Sequence, residues 1–244
     1  MACPTSMRPR RQWRRGRHRR HGAWHYVDDY THGRDLTGVF HRGKPFDMTL
    51  LWTIQRIPAW QQLQTTGVLT ATAENAMPDS GAAYAWMIAR MRERLGPPPE
   101  PDGFPVWAWY RYGGVKKPRP DLRRRAHLDK GVRGVRIAFE CEPKTLLLSD
   151  INTWTLVLNG SYVTTSEDDA ESYHAEVKAR GLDYGDRWSD PKIAAKIVRS
   201  WDKIFHLRRY DPDWLRPPDE RSIQACLWEV KMSQVRDVTE FVSR

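Results

Sequence analysis

Cysteine is scarce: the 244 residues hold three, Cys3, Cys141 and Cys226, with no paired spacing. That excludes a disulfide framework and a cysteine-based zinc site. It fits a reducing compartment, and the expected localisation is cytoplasmic. Cys141 and Cys226 lie in strand-like runs and read as small buried hydrophobes. Long apolar runs are missing too. None approaches the ~18 residues of a membrane span, and the basic N-terminus lacks the apolar stretch of a secretory signal, so no membrane partner is expected. No nucleophile elbow, Walker loop or HExxH-type pair occurs. A hydrolase or nuclease built on Asp150, Glu140 or Glu142 is therefore poorly supported, since caps and surface charge explain those residues better. No internal repeat occurs, and no bound metal is expected.

Tryptophan is abundant, at 12 residues spread along the chain. Trp supplies large buried area and stacking surface, which suits an aromatic-heavy core and also a pocket for a flat ring. The formal charge of +10 is uneven. Residues 1–47 carry 11 Lys and Arg against 4 Asp, a balance of +7; the rest carries 29 against 26, only +3. The basic character thus belongs mainly to the first segment. That segment, with RPRRQWRRGRHRRHG, is low-complexity and holds His18, His21, His25, His32 and His41. It reads in three ways: an over-extended start with the true beginning at Met48, a disordered tail, or a functional arm. As an arm it would attract phosphate through its arginines; a metal site can be drawn from His21, His25 and His32, but it is not the expectation. The remainder, 48–244, reads as a single α+β domain.

Within it, Thr49–Gln55 is β-prone. Pro58 opens a short helix at a permitted position, with Trp60 and Leu63 on one face and Gly67 as its C-terminal glycine. Val68–Thr70 is short and extended. Ala83, Met87, Ile88, Met91 and Leu95 follow the helical rhythm over 82–95. Asp79 or Ser80 caps that helix, and Gly96 with the Pro97–Pro99 run ends it. Pro105–Tyr112 (PVWAWYRY) is a strong strand, with Val106, Ala108 and Tyr110 on one face and Trp107, Trp109 and Arg111 on the other. The cationic loop GGVKKPRPDLRRRAHLDKG follows, carrying Lys116, Lys117, Arg119, Arg123, Arg124 and Arg125. It reads as a solvated surface loop, or as a phosphate- and base-recognising loop beside exposed rings. Strands are expected at 134–140 and 144–148. Ser149 or Asp150 then caps a helix that Asn159–Gly160 stops. Ser166 with Asp169 resembles a capping box. Pro191 after Asp190 opens a helix whose apolar stripe is Ile193, Ile197, Trp201, Ile204 and Phe205.

The end of the chain, SIQACLWEVKMSQVRDVTEF, alternates as a strand. Ile223, Ala225, Leu227 and Glu229 share one face; Gln224, Cys226, Trp228 and Val230 share the other. Both faces are largely apolar, as in a central strand. Glu229 is either a carboxylate at the frayed strand end, reaching water or pairing with Arg or Lys, or a carboxylate at the mouth of a cleft.

The runs LLWTIQ, PVWAWYRY with KKPRPDLR, LLLSDINTWTLVLN, SWDKIF and IQACLWEVKMSQV resemble an uncharacterised bacterial family known as a domain of unknown function. The resemblance covers about Met48 to Phe241. A more distant one links LLWTIQRIPAWQQLQTTGVLTA and the late Glu229-bearing strand to ADP-ribosyltransferase-like domains. It implies a split, mostly antiparallel sheet with packed helices, and NAD as substrate in a cleft. In that reading Glu229 stabilises the oxocarbenium-like charge that develops as the nicotinamide–ribose bond breaks. Thr53 stands where such domains often carry His or Arg. Trp52 or Tyr110 stacks on nicotinamide, and Arg111 or Arg123 holds the pyrophosphate. The acceptor would be a protein or nucleic acid, as for a toxin-like effector. The alternative is a non-catalytic nucleic-acid- or nucleotide-binding module using loop 113–125 and the flanking Trp residues.

Overall fold

The structure is a computed structural model that describes residues 48–75, 79–125, 127–209 and 211–244. The basic segment 1–47, with the start, tail, arm and metal readings made for it, lies outside the described residues.

Among the described residues there are eight strands and five α-helices, with three of the helices in succession between the fifth and sixth strands. Six strands form one sheet, in the order β5 (Leu147–Asp150), β6 (Ile223–Leu227), β3 (Val106–Arg111), β1 (Thr49–Arg56), β4 (Arg133–Cys141) and β8 (Val235–Val242). All of its ladders are antiparallel. β2 (Val68–Leu69) and β7 (Val230–Lys231) form a separate two-stranded antiparallel ladder. The chain is therefore α+β with a mostly antiparallel sheet.

Helix ends follow local chemistry. In α1 (Ile57–Thr66) Pro58 sits in the first turn, where its missing N–H costs nothing. Gly67 takes φ 78° and donates its N–H to Leu63 O at 3.0 Å. In α3 (Ile151–Leu158) the Asp150 carboxylate accepts from Asn152 N at 2.8 Å. In α5 (Pro191–Ser200) Asp190 accepts from Lys192 N and Ile193 N. Two expectations shift. The strand expected at 144–148 is a 3-10 turn over Pro143–Thr145 followed by β5. The capping box before α4 (Glu167–Ala179) is half formed: Ser166 Oγ accepts from Asp169 N. The Asp169 carboxylate instead accepts from Thr165 N and from the side chains of Tyr162 and Lys203.

Two cores flank the sheet. On one face α2 (Gly81–Leu95), α3, α4 and α5 bury Met87, Met91, Trp154, Tyr173, Ile193, Ile197, Trp201 and Phe205 with Leu147 and Cys226. Rings dominate here, with Tyr84 stacked on Phe104 at 4.9 Å and Trp86 on Phe205 at 5.7 Å. On the other face α1 supplies Leu63 against Leu51, Ala108, Ile137, Phe139, Ala225 and Leu227. Each fully buried Leu, Ile, Met or Phe contributes about 1.5–3 kcal/mol, so the layers that hold the sheet flat-side to helices also fix what its strands can present. All five residues of β6 are buried, as expected of a central strand.

Candidate functional site

The site is built on the two middle strands. The register pairs Trp52 with Trp109, Trp109 with Gln224 and Trp107 with Cys226. Opposed residues share a face, so Trp52, Ile54, Trp107, Trp109 and Gln224 lie on the side of the sheet that faces α2 and α3. There Trp107 packs on Trp154, with centroids 5.1 Å apart, and on Tyr84 at 6.3 Å. Trp109 meets Tyr112 edge-on at 4.9 Å; Tyr112 lies 5.4 Å from His127, and His127 lies 6.2 Å from Phe241. A cavity of about 200 Å³ is lined by Ile54, Trp107, Ala108, Trp109, His127 and Gln224. One wall therefore belongs to the helix-packed part of β3, and the other to the basic loop.

That loop is held at both ends. Tyr112 N and Gly113 N donate to Pro118 O and Lys117 O, both at 2.8 Å, closing a tight turn. Gly114 has φ 76°, and a Cβ there would sit 2.3 Å from Asp219 O, so the turn needs glycine. Further on, Arg136 donates to Pro120 O and Thr239 Oγ1, both at 3.0 Å. Burial pushes its guanidinium pKa down, and nearby Arg119 adds to this. His127 Nε2 lies 2.9 Å from Asp121 O; a carbonyl only accepts, so Nε2 carries the proton.

The loop's cations divide into two sets. Arg123 forks onto Asp121, with both contacts at 2.9 Å, and its hydrogen bond holds the Asp121 carboxyl well below the usual carboxylate range. Lys116, Lys117, Arg119, Arg124 and Arg125 are exposed. None of these five makes an ion pair among the described residues. Arg124 lies 5.8 Å from the Tyr112 ring, so free positive charge adjoins the aromatic wall.

The residues singled out for NAD chemistry do not converge. Trp52 and Thr53 are consecutive in a strand and point to opposite faces. Thr53 is fully buried; its hydroxyl donates to Trp107 O at 2.8 Å and accepts from Gln55 Nε2 at 2.7 Å. Tyr110 packs against the α1-side core, on Thr53's face. Arg111 departs from the expected alternation. A bulge between Trp109 and Arg111 pairs Arg111 with Ile223, so it leaves the Trp107–Trp109 face and its guanidinium lies 4.9 Å over Tyr110. Glu229 is not in the strand: β6 ends at Leu227, and Glu229 lies between β6 and β7. Its carboxylate sits 3.1 Å from Lys231 Nζ, beyond the Leu227–Val106 pair, while Thr53 lies two strands away beside Trp107. Of the predicted cofactor residues, Trp52 alone shares the cleft's face, and Arg123 reaches the loop but is tied to Asp121.

The cavity also takes in Gln224 and His127, which strand alternation alone does not single out. Gln224 is the one polar residue in β6, a detectable signal; nothing local marks His127. Among the described residues no cluster of three or more His, Cys, Asp or Glu is placed to hold a metal. Nor is any helix among them long and apolar enough to cross a membrane.

No curated protein matches the chain, and no solved structure does. A family model matches residues 50–236, which include both cores, the cleft and the whole basic loop. By that match the chain belongs to the family described as Domain of unknown function (DUF3841).

Proposed function

We propose that this protein is a binding module for an unpaired nucleobase and its phosphates, carried by a nucleotide or by single-stranded nucleic acid. The observation behind this reading is the junction at Trp109, Tyr112 and His127, where a ring-lined cavity meets a loop with unpaired cations. Stacking on aromatic side chains holds bases of any sequence, and adjacent Lys and Arg track the phosphates. Volume selects the ligand class. At about 200 Å³ the cavity falls below the ~300–1,000 Å³ of pockets that enclose whole drug-sized ligands. It suits one ring system with its phosphates outside, over the loop, rather than an enclosed dinucleotide. The reading as an NAD-cleaving, ADP-ribosyltransferase-like enzyme draws no support from the positions of Glu229 and Thr53. Glu229 is paired with Lys231, and the Thr53 hydroxyl is spent within the sheet.

The test uses the full chain and Trp109→Ala, so the N-terminal arginines are common to both. Binding of a fluorescent single-stranded oligonucleotide is measured at low salt. Loss of one stacked ring weakens binding by about 1–3 kcal/mol, roughly 5- to 150-fold. Equal affinity in the two proteins, with Trp109→Ala still folded, would refute the cleft as the site.

A further inference from the structure

Separately from the ring-lined cleft, we propose that Arg111 anchors a second site, on the opposite face of the sheet, that takes a small oxyanion: a carboxylate or a phosphate group. Arg111 is 5 % exposed, and its Nη2 is buried without a hydrogen-bond partner. The guanidinium makes no ion pair and no side-chain hydrogen bond among the described residues. What it meets is the Tyr110 ring, 4.9 Å away. Arginine does not shed its charge, and a buried charge without a partner is among the costliest placements a side chain can take. Arg221 shows how the same fold satisfies a buried guanidinium. It donates to the carbonyls of Arg216 at 2.8 Å, Leu207 at 3.4 Å and Arg209, and lies 3.8 Å from the Asp150 carboxylate. Arg136 likewise has Pro120 O and Thr239 Oγ1. Arg111 has no counterpart to these bonds.

The backbone puts Arg111 there by a specific device. Trp109 pairs with Gln224 and Arg111 with Ile223, so Tyr110 is the extra residue of the bulge. Bulges re-aim a side chain and recur beside functional sites. The carboxylate in the same row is already spent: Ile223 pairs in turn with Asp150, which accepts from Asn152 N and lies against Arg221. An apolar side chain would fill the position without the cost of a buried charge. What completes the guanidinium is a planar oxyanion, which its parallel N–H groups can meet two at a time. Approach is from the end of the sheet. Arg111 is the last residue of β3, and Gly113, Lys116 and Lys117 in the turn that follows are exposed. Burial of Nη2 limits what can reach it to a compact anionic head, with any larger remainder outside the sheet end.

The experiment is urea denaturation of the full chain and of Arg111→Met in chloride, inorganic phosphate and acetate at equal ionic strength. In chloride Arg111→Met has the higher midpoint, because it exchanges an unpaired buried charge for an apolar side chain of similar length. Phosphate or acetate raises the midpoint of the unsubstituted protein. An anion at 100 times its Kd raises the folding constant about 100-fold. Arg111→Met lacks that rise, and the two anion arms tell a phosphate site from a carboxylate site. The basic loop and residues 1–47 are common to both proteins, so anions bound there shift both alike and cancel in the comparison. Trp109→Ala keeps the anion effect, which separates this site from the cleft. Arg111→Lys retains the charge without the fork; its anion effect is reduced, and it serves if Arg111→Met fails to fold. The inference is overturned if neither anion stabilises the unsubstituted protein, or if both proteins respond equally. It is also overturned if Arg111→Met is the less stable in chloride, if Arg111→Lys keeps the full effect, or if Trp109→Ala abolishes it.

Discussion

Arg123 and Arg124 are neighbours in one loop, yet the structure gives them different electrostatic standing. Arg123 already has a counterion in Asp121, whereas Lys117, Arg119 and Arg124 are exposed without a carboxylate partner among the described residues. Only a cation free of internal pairing releases condensed counterions when it meets a phosphate. For single strands each such contact contributes about −0.7 to the slope of log affinity against log salt. Replacing Lys117, Arg119 and Arg124 together by Ala therefore makes the slope shallower by about 2. Between 50 and 200 mM salt, the unsubstituted protein loses roughly 20-fold more affinity than the triple variant. The paired substitution Asp121→Asn with Arg123→Gln conserves net charge and leaves the slope unchanged. Fluorescence anisotropy on the full chain reads both, because residues 1–47 contribute equally to every variant. The reasoning fails if the triple variant keeps the original slope, or if the charge-conserving pair lowers the slope as much as the triple.

Two further predictions concern what holds the site and the helical layer. Gly114→Ala forces a side chain into φ 76° and brings Cβ to within 2.3 Å of Asp219 O. It lowers stability by about 1–2 kcal/mol from backbone strain alone, read as a reduced denaturant midpoint, and weakens oligonucleotide binding by displacing the loop. Lys203 Nζ donates to both Asp169 oxygens at 3.0 and 2.8 Å, and it also contacts Tyr162 OH and Val163 O. Burial raises the Asp169 pKa, but hydrogen bonds from Lys203, Tyr162 and Thr165 outweigh it and hold the carboxyl below its usual value. A depressed carboxylate pKa means the native state binds fewer protons than the unfolded one. The stabilisation is complete above the unfolded value of about 4 and is lost as pH falls through the lower folded value. Asp169→Asn strands the ammonium among neutral acceptors and costs about 1–3 kcal/mol at neutral pH, the pair being partly exposed. Chemical denaturation from pH 7 to 3 checks this: the deficit of Asp169→Asn shrinks below about pH 4, and a deficit that stays constant would refute it.

The sequence by itself determined what depends on neighbours along the chain. Pro58 and Gly67 bounded α1, Asp190 and Pro191 opened α5, and the stripe Ile193, Ile197, Trp201, Ile204 and Phe205 is buried as its spacing required. Those signals are local because a helix satisfies its backbone within a turn or two. The α+β class and the central position of Ile223–Leu227 followed from the same kind of reading. Tertiary structure alone decided which strands adjoin. Strand order places β6 beside β3, so Gln224 meets Trp109, 115 residues earlier. A bulge, invisible in alternation, moved Arg111 to the opposite face. A bend at Trp228 took Glu229 out of the strand and left it with Lys231. His127 enters the cavity because its loop is tied down by Arg136, with Leu128 packed where Gly134 has no Cβ. Period-two patterning tells which residues share a face, but a sheet site is made by register between strands, which distant packing sets.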